Sequence, residues 1–172
     1  MSKRIWLRHY GESAVIPARV EDVFSYIDDH KRFSSHMNQT SWMMGGGKMD
    51  TLVDKKKGQK IGSHIRLEGK VFGFHLFLDE VVTRHEAPWL KMWETVGTPK
   101  LLIIGHYQMK VKIAPQGASA LLTVSIDYEL PKTNVWLGKL FSRWYAKWCV
   151  QQMIKGTNKY FSDKKEVKNN ET

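Results

Sequence analysis

The chain has 172 residues and a formal net charge of +10, and hydrophobic residues make up 42% of it. This length suits one domain with a substantial core, and the lack of any run of 18 apolar residues argues against a membrane-spanning helix. The single cysteine excludes an internal disulfide. Because the first residues also lack an apolar run of signal-peptide length, we expect a cytoplasmic protein.

The positive charge is dispersed along the chain rather than gathered in one basic stretch. Lysine and arginine lie near both ends and in one run at 55–57. Charge of this kind is typical of a solvated surface, and it is the only feature that would support nucleic-acid binding, so we expect no nucleic acid as partner. The excess does favour acidic partners or anionic lipid headgroups.

The first elements in chain order are a strand and two short helices. Residues 9–16 read as a strand that Pro17 ends, and residues 19–29 predict a helix with one apolar side. Residues 30–37 predict a second short helix or turn. His30 and His36 lie near each other there, but no third ligand follows at a recognised spacing, so we expect no metal site.

A glycine-rich segment, Gly45-Gly46-Gly47-Lys48, follows the second helix. It does not match the Walker phosphate loop, which needs an earlier glycine and a Ser or Thr after the lysine, where this chain has Met49. Two interpretations remain open: a loop that closes over a pocket mouth, or an inert surface loop. No cofactor is predicted from this segment or from any other.

The middle of the chain predicts a run of about six antiparallel strands. Alternation slips near Glu80, which predicts a bulge, and Ala87-Pro88 makes a turn. The last two strands alternate most cleanly, which indicates one buried and one largely wet face for each. The predicted strands cover residues 49–54, 61–68, 74–82, 89–96, 101–113 and 120–130.

A long helix is predicted over residues 134–161, where no proline interrupts the sequence. Large apolar residues from Trp136 to Trp148 share one side of this helix, and smaller ones from Ala146 to Thr157 lie nearly opposite. The aromatic side therefore either packs in the core or walls a ligand cavity or a partner surface. The polar residues 163–172 are expected to fray or be disordered, which leaves a single domain over residues 1–162.

This order of elements resembles the helix-grip fold of the START-like (SRPBCC) superfamily, which includes polyketide cyclases/dehydrases and lipid-transport proteins. Residues 20–27 look like the opening helix of that family, and Lys60-Ile61-Gly62-Ser63 looks like its glycine-marked entry to a central strand. Residues 85–90 are similar to its proline turn, and residues 124–131 to its last strand before the closing helix. The resemblance covers roughly residues 10–161.

The resemblance implies an α+β fold in which a curved antiparallel sheet of six or seven strands wraps around the C-terminal helix, with two short helices after the first strand. It also implies a cavity between sheet and helix for a hydrophobic or amphipathic molecule, such as a lipid, a quinone or a polyketide-like compound. Some relatives are enzymes and many only bind or carry, so the fold alone does not choose between these roles.

Strand parity suggests which residues contact such a ligand. Tyr107 and Tyr128 fall on the inward faces of the two cleanest strands, and Glu94 joins them if Leu90 and Met92 face inward. These three would supply the polar contacts of an otherwise apolar pocket, although the tyrosines can equally serve the core and the glutamate the surface. The full predicted set of ligand-binding residues is Tyr107, Tyr128, Glu94, Phe74, Leu76, Met92, Trp144 and Trp148.

Three functions remain open at this stage. The first is non-catalytic binding or transport of a hydrophobic small molecule, which we favour because no nucleophile–base set is visible. The second is an enzyme of the cyclase/dehydratase kind that uses Tyr and Glu as acid and base. The third is a module that docks on an anionic membrane or on another protein, a homodimer included, which the basic excess and the two-sided helix would serve.

Overall fold

The computed structural model describes residues 6–33, 48–71 and 73–170. Two short helices follow the first strand, six more strands follow these, and one long helix ends the described chain. The elements are β1 (Arg8–Ile16), α1 (Val20–Asp28), α2 (His30–Phe33), β2 (Lys48–Val53), β3 (His64–Val71), β4 (Phe74–Glu86), β5 (Leu90–Lys100), β6 (Tyr107–Gln116), β7 (Ser119–Tyr128) and α3 (Val135–Asn170).

The seven strands form one antiparallel sheet in the order β1-β7-β6-β5-β4-β3-β2. Helix α3 packs mainly on β1 and β7, whereas α1 lies against β6 and β7 and α2 against β2. The curved sheet, the long C-terminal helix and the two early helices confirm the predicted helix-grip fold. Helix α3 therefore covers the β1–β7 side of the inner sheet surface, and α1 lies beside it on β7 and β6.

The clean alternation of the last two strands predicted their buried face correctly. In β6 the side chains of Tyr107, Met109, Val111 and Ile113 are buried, and in β7 those of every second residue from Ala120 to Tyr128 are. These rows line the inner face of the sheet, and with α1 and α3 they build the core. A strand with one buried and one solvated face alternates apolar and polar residues with a period of two, and these two strands show that pattern.

Helix α3 presents a different side to the sheet from the side with the large rings. Ser142, Ala146 and Thr157 are fully buried, whereas Trp136 is 65% exposed and Trp144 is 47% exposed. Small side chains let the helix approach the sheet closely, and the large rings of the first turns do not fit in that contact. Core packing of the aromatic side was therefore the wrong alternative for most of these rings.

The helix also runs nine residues beyond its predicted end at Phe161, to Asn170. Residues 163–166 are exposed and contain good helix formers, with no glycine or proline to stop the helix. Helix α3 thus includes these polar positions, and the expected fraying or disorder of the tail stays a prediction. The boundary of a single domain at residue 162 stays a prediction.

In strand β5, the residues that face the inner side of the sheet are not the ones predicted to do so. Lys91, Trp93 and Thr95 are buried on the inner face, which turns Met92 and Glu94 to the outer face. The sequence misleads here because a buried lysine is uncommon, and Lys91 is buried only because it pairs with Asp28.

Strand β6 begins at Tyr107, six residues later than predicted. Residues 101–106 form a connecting segment, and Gly105 lies so close to the residues after β7 that an added Cβ would be 2.7 Å from the Leu130 carbonyl oxygen. The bulge predicted near Glu80 was wrong at that position, because residues 79–82 pair with β5 in continuous register. The irregularities of this pairing lie on either side, between Phe77 and Asp79 and between Val82 and Arg84.

Two features singled out in the sequence lie outside the described residues: the glycines at 45–47 and His36. Within the described ranges, no helix combines the length and the hydrophobicity needed to cross a membrane. The same ranges contain no group of three or more His, Cys, Asp or Glu side chains arranged to hold a metal ion.

Candidate functional site

A cavity of about 50 Å³ lies between the inner face of the sheet and helix α3. We call it the chamber. Most of its wall is aliphatic, and its polar groups come from the sheet centre, from α2 and from α3. It is lined by His30, Leu67, Leu78, Glu80, Trp93, Leu101, Ile104, Tyr107, Met109, Ile126, Tyr145, Cys149 and Met153.

Glu80 is the central polar group of the chamber. It follows Leu78 on the inner face of β4 and is only 2% exposed. Its Oε1 accepts a hydrogen bond from the Trp93 indole Nε1 at 3.1 Å and another from the Tyr107 hydroxyl. Because an isolated carboxylate is costly to bury, these two donors are what stabilises Glu80 inside the sheet.

His30, the first residue of α2, faces the other carboxylate oxygen. Its Nε2 lies 3.6 Å from Glu80 Oε2, and its ring packs edge-on to Trp93 with 5.1 Å between the centroids. Burial lowers the pKa of His30, although the carboxylate of Glu80 acts in the opposite direction. A neutral imidazole beside a carboxylate is a group that can take up or pass on a proton.

The remaining titratable groups of the chamber hold their protons. Burial, followed by the charge of Glu80, raises the pKa of Tyr107 well above its usual value, and burial does the same for Tyr145. Burial also raises the pKa of the Cys149 thiol to about 12. Cys149 therefore serves as a small apolar wall residue, because only a thiolate is an effective nucleophile.

A larger, more open pocket of about 410 Å³ adjoins the chamber, and we call it the vestibule. Leu101 and Ile104 line both cavities, so the segment 101–106 separates them. The rest of the vestibule wall comes from the start of β4, the end of β5 and the segment before α3. Its other lining residues are Phe74, His75, Leu76, Gly97, Thr98, Pro99, Lys100, Leu102, Gly105, His106, Pro131, Lys132 and Thr133.

A second buried polar group lies beside the chamber, where α1 ends. The ammonium group of Lys91 is fully buried and lies 2.9 Å from Asp28 Oδ1, which also accepts from His85 Nε2 at 2.9 Å. Burial lowers the pKa of Lys91, and the charge of Asp28 opposes this effect. These contacts tie the C-terminal end of α1 to β4 and β5, next to His30.

The structure separates the predicted ligand-binding residues into three groups. Tyr107 lines the chamber, and Phe74 and Leu76 line the vestibule. Tyr128 is buried beside Tyr107, its register partner, but does not line either cavity.

The other four predicted residues line neither cavity. Glu94 and Met92 are on the outer face of the sheet, because the predicted parity of β5 was wrong. Trp144 is on the outer side of α3, and the half-buried Trp148 lies beside Tyr145 with 5.9 Å between the ring centroids.

Sequence reasoning missed His30, Glu80 and Trp93. A signal for Glu80 was present but was interpreted as a slip: Leu76, Leu78 and Val82 alternate, and Glu80 occupies the position between Leu78 and Val82 on the same inner face. His30 and Trp93 gave no comparable signal, since one lies in a helix of four residues and the other in the strand that contains the buried lysine.

Comparison with solved structures gives matches over almost the whole chain. Norcoclaurine synthase from Thalictrum flavum, a point mutant in complex with a transition-state analogue, has a TM-score of 0.65 and 15% identity, and the match covers 92% of this chain and 96% of that one. Ara h 8.0201 has a TM-score of 0.60 and 10% identity, with 91% and 98% covered.

The di-domain ARO/CYC protein StfQ, from the steffimycin biosynthetic pathway, has a TM-score of 0.68 and 8% identity. That match covers 92% of this chain and 51% of the two-domain protein. No family model and no curated protein sequence matches the chain. At these identities the structural matches confirm the helix-grip fold expected from the START-like resemblance, and they establish the fold alone.

Proposed function

We propose that this protein binds an apolar or aromatic small molecule that carries at least one hydrogen-bonding group. The observation that supports this most directly is the buried carboxylate of Glu80, which faces an otherwise apolar chamber together with His30 and Tyr107. A few convergent polar groups in an apolar cavity are typical of ligand sites, where they fix orientation.

The size of the cavities indicates how such a ligand would lie. The chamber holds only a few water-sized groups, whereas the vestibule falls in the range of small-molecule pockets, roughly 300–1,000 Å³. We infer that the ligand body occupies the vestibule and that its polar end reaches the chamber past Leu101 and Ile104. A hydroxyl or amino group would donate to the carboxylate of Glu80.

The matched proteins support this class of ligand without identifying it. Norcoclaurine synthase is also described in complex with dopamine and hydroxybenzaldehyde, which are small aromatic molecules with hydroxyl groups. The ARO/CYC match comes from a biosynthetic pathway. The fold is thus compatible with aromatic guests, and Glu80 supplies an acceptor for their hydroxyl groups.

Native mass spectrometry of the purified protein, followed by titration with the fluorescent probe 1-anilinonaphthalene-8-sulfonate, tests this proposal. We expect a bound small molecule or saturable probe binding, and we expect Leu101→Trp to reduce binding at least about tenfold by filling the passage between the cavities. Leu52→Trp is the matched control, because Leu52 is 49% exposed and lines neither cavity. Equal binding by both variants would contradict the proposal.

The two register-paired tyrosines give a second test of the same site. Tyr107→Phe removes a hydroxyl that faces the chamber, whereas Tyr128→Phe changes the neighbouring tyrosine that lines no cavity. We expect only Tyr107→Phe to weaken ligand binding, by a factor of about 5–10 for one hydrogen bond. An equal effect of both substitutions would point to a general loss of packing.

Acid–base catalysis on the bound molecule is a second candidate function, favoured by the contact between His30, Glu80 and Tyr107. The neutral imidazole or the carboxylate would remove a proton from an acidic C–H group. The protonated Tyr107 would then turn its single O–H from Glu80 to the oxygen on which negative charge develops. This is the chemistry that a cyclase or dehydratase needs.

Deuterium exchange into benzoylacetone, a β-diketone with an acidic C–H group, separates catalysis from binding alone. A catalyst would accelerate exchange in the NMR spectrum, and Glu80→Gln would slow it by a factor of about 100 or more, whereas Glu94→Gln would not. Probe binding without any protein-dependent exchange would leave the binder as the function and exclude the acid–base role for this class of substrate.

A further inference from the structure

The outer side of the first half of α3 is an apolar surface. Trp136 and Leu140 are each 65% exposed and Trp144 is 47% exposed, and their spacing of four residues places them on one side of the helix. Phe141, 40% exposed, borders them. Within residues 6–33, 48–71 and 73–170, no element covers this side, and clusters of large exposed apolar residues are typical of interaction sites.

Basic side chains run beside this apolar surface. Lys139, Arg143 and Lys147 are exposed and also recur every four residues. At about 100° per residue, their row lies roughly 60° around the helix from the row of Trp136, Leu140 and Trp144. The segment from Leu130 to Ser162 contains no acidic residue, and its basic residues are Lys132, Lys139, Arg143, Lys147, Lys155 and Lys159.

We propose that the side of α3 formed by these two rows docks on a membrane surface that contains anionic lipids. Tryptophan and leucine would insert at the boundary between headgroups and acyl chains, and the basic row would contact the negatively charged headgroups. A second copy of the chain fits this surface less well. A two-fold contact through this part of the helix would bring the two basic rows together, and no acidic residue lies between Leu130 and Ser162 to pair with them.

The position of this surface relative to the vestibule adds a functional consequence. Pro131, Lys132 and Thr133 line the vestibule immediately before α3 begins, and Phe74 at the same pocket is 59% exposed. A protein docked through the first turns of α3 would therefore hold the vestibule mouth near the bilayer. If the ligand proposed above is apolar, it can pass between bilayer and vestibule over a short distance. This last step rests on the proposed function, whereas docking itself does not.

Vesicle flotation tests the docking surface without any ligand. We expect the protein to float with vesicles of phosphatidylcholine and phosphatidylglycerol but not with vesicles of phosphatidylcholine alone. Binding should weaken as salt is added, because headgroup contacts are screened. Tryptophan fluorescence should shift to shorter wavelength on binding.

Two triple variants test the two rows separately. The first triple variant replaces Lys139, Arg143 and Lys147 by Gln. It should weaken binding to the anionic vesicles on the order of 100-fold. Its matched control changes Lys55, Lys56 and Lys60 to Gln, which are also exposed but lie on the β2–β3 connection. The second triple variant replaces Trp136, Leu140 and Trp144 by Ser, and it should abolish the fluorescence shift. Its control is Trp89→Ser, at a residue that is 49% exposed in another region, and this variant should retain the shift.

Several outcomes would overturn the proposal. These are no flotation with either vesicle, equal flotation with both, or equal losses in the α3 variants and their controls. A fourth is a concentration-dependent dimer that the apolar triple variant converts to a monomer, which would assign this surface to a second copy. Circular dichroism should show wild-type helix content for all variants, since the substituted side chains are exposed, and probe binding in the vestibule should be unchanged.

Discussion

Glu80 and Glu94 lie on neighbouring strands, one step of register apart. Glu80 of β4 is opposite Thr95 of β5, and the next pair is Val81 with Glu94. Glu80 is 2% exposed and accepts hydrogen bonds from Trp93 and Tyr107. Glu94 is half-buried on the outer face and accepts from Gln108 Nε2 at 2.9 Å.

The difference shows that the face of the sheet decides the chemistry of a carboxylate in this protein. A single step along a strand turns a side chain from one face to the other. The outer carboxylate forms a partly hydrated surface contact, whereas the inner one depends on fixed donors and faces a cavity. Only Glu80 is therefore placed to contact a bound molecule, and substitutions on the two faces should have very different effects.

The largest expected effect comes from the other inward-facing carboxylate, Asp28. Asp28→Ala removes the partner of the fully buried Lys91, and an uncompensated buried charge should lower the free energy of unfolding by about 3–5 kcal/mol. Urea unfolding at neutral pH measures this. Asp127→Ala, which breaks a pair with the exposed His9, is the control and should cost less than about 1 kcal/mol. Similar losses in both variants would contradict the contrast between the two faces.

A smaller loss of stability is expected for Glu80→Ala. The substitution leaves the Trp93 indole and the Tyr107 hydroxyl without their acceptor in apolar surroundings, which should cost about 2–4 kcal/mol in total. Glu80→Gln retains an acceptor oxygen and should cost clearly less. Thermal unfolding of the two variants gives the comparison, and an equal loss in both would show that the hydrogen bonds to Glu80 contribute little.

The pH dependence of stability should carry a contribution from His30. Its pKa in the folded protein lies below the ordinary value of 6.5 because burial disfavours the charged ring, so the unfolded chain takes up the proton first. The contribution of neutral His30 to the free energy of unfolding is therefore fully present above about pH 6.5. It is lost as the pH falls below this value, at up to about 1.4 kcal/mol per pH unit.

The variant His30→Gln isolates this contribution. Unfolding free energies of wild type and variant, measured at several values between pH 7.5 and 5, should converge as the pH falls if the substitution costs stability at neutral pH. A difference that does not change over this range would show that His30 does not remain neutral in the folded protein.

The smallest effect is expected for Glu94→Gln. Its hydrogen bond to Gln108 is partly solvated, so the free energy of unfolding should change by less than about 0.5 kcal/mol and probe binding should not change. Isothermal titration calorimetry with the same fluorescent probe measures the affinity of the variant for the probe. A loss of affinity comparable to that of Glu80→Gln would mean that the outer face takes part in binding.

The sequence predicted the fold where one physical signal dominated. Strands β6 and β7 alternate cleanly because one face is buried and the other is wet, and α3 is long and free of proline. Apolar alternation did not show which residues of β5 face the inner side of the sheet. Lys91 is polar but buried, and what permits its burial is Asp28, which lies 63 residues away in the chain.

The candidate site could be predicted only in part for a related reason. Tyr107 followed from strand parity, but the bonds that make Glu80 tolerable inside the sheet come from two other strands, so no local pattern shows them. The side of α3 that meets the sheet depends on close approach of Ser142 and Ala146, which hydrophobicity alone ranks below the large rings.

The proposed ligand site at Glu80 is tested most directly by anomalous diffraction from crystals grown with an iodinated phenol, which locates the iodine atom. We expect an iodine peak in the vestibule or chamber, with the phenol hydroxyl within hydrogen-bonding distance of Glu80. A peak found only at the outer face around Glu94, or no bound phenol at concentrations that displace the fluorescent probe, would contradict it.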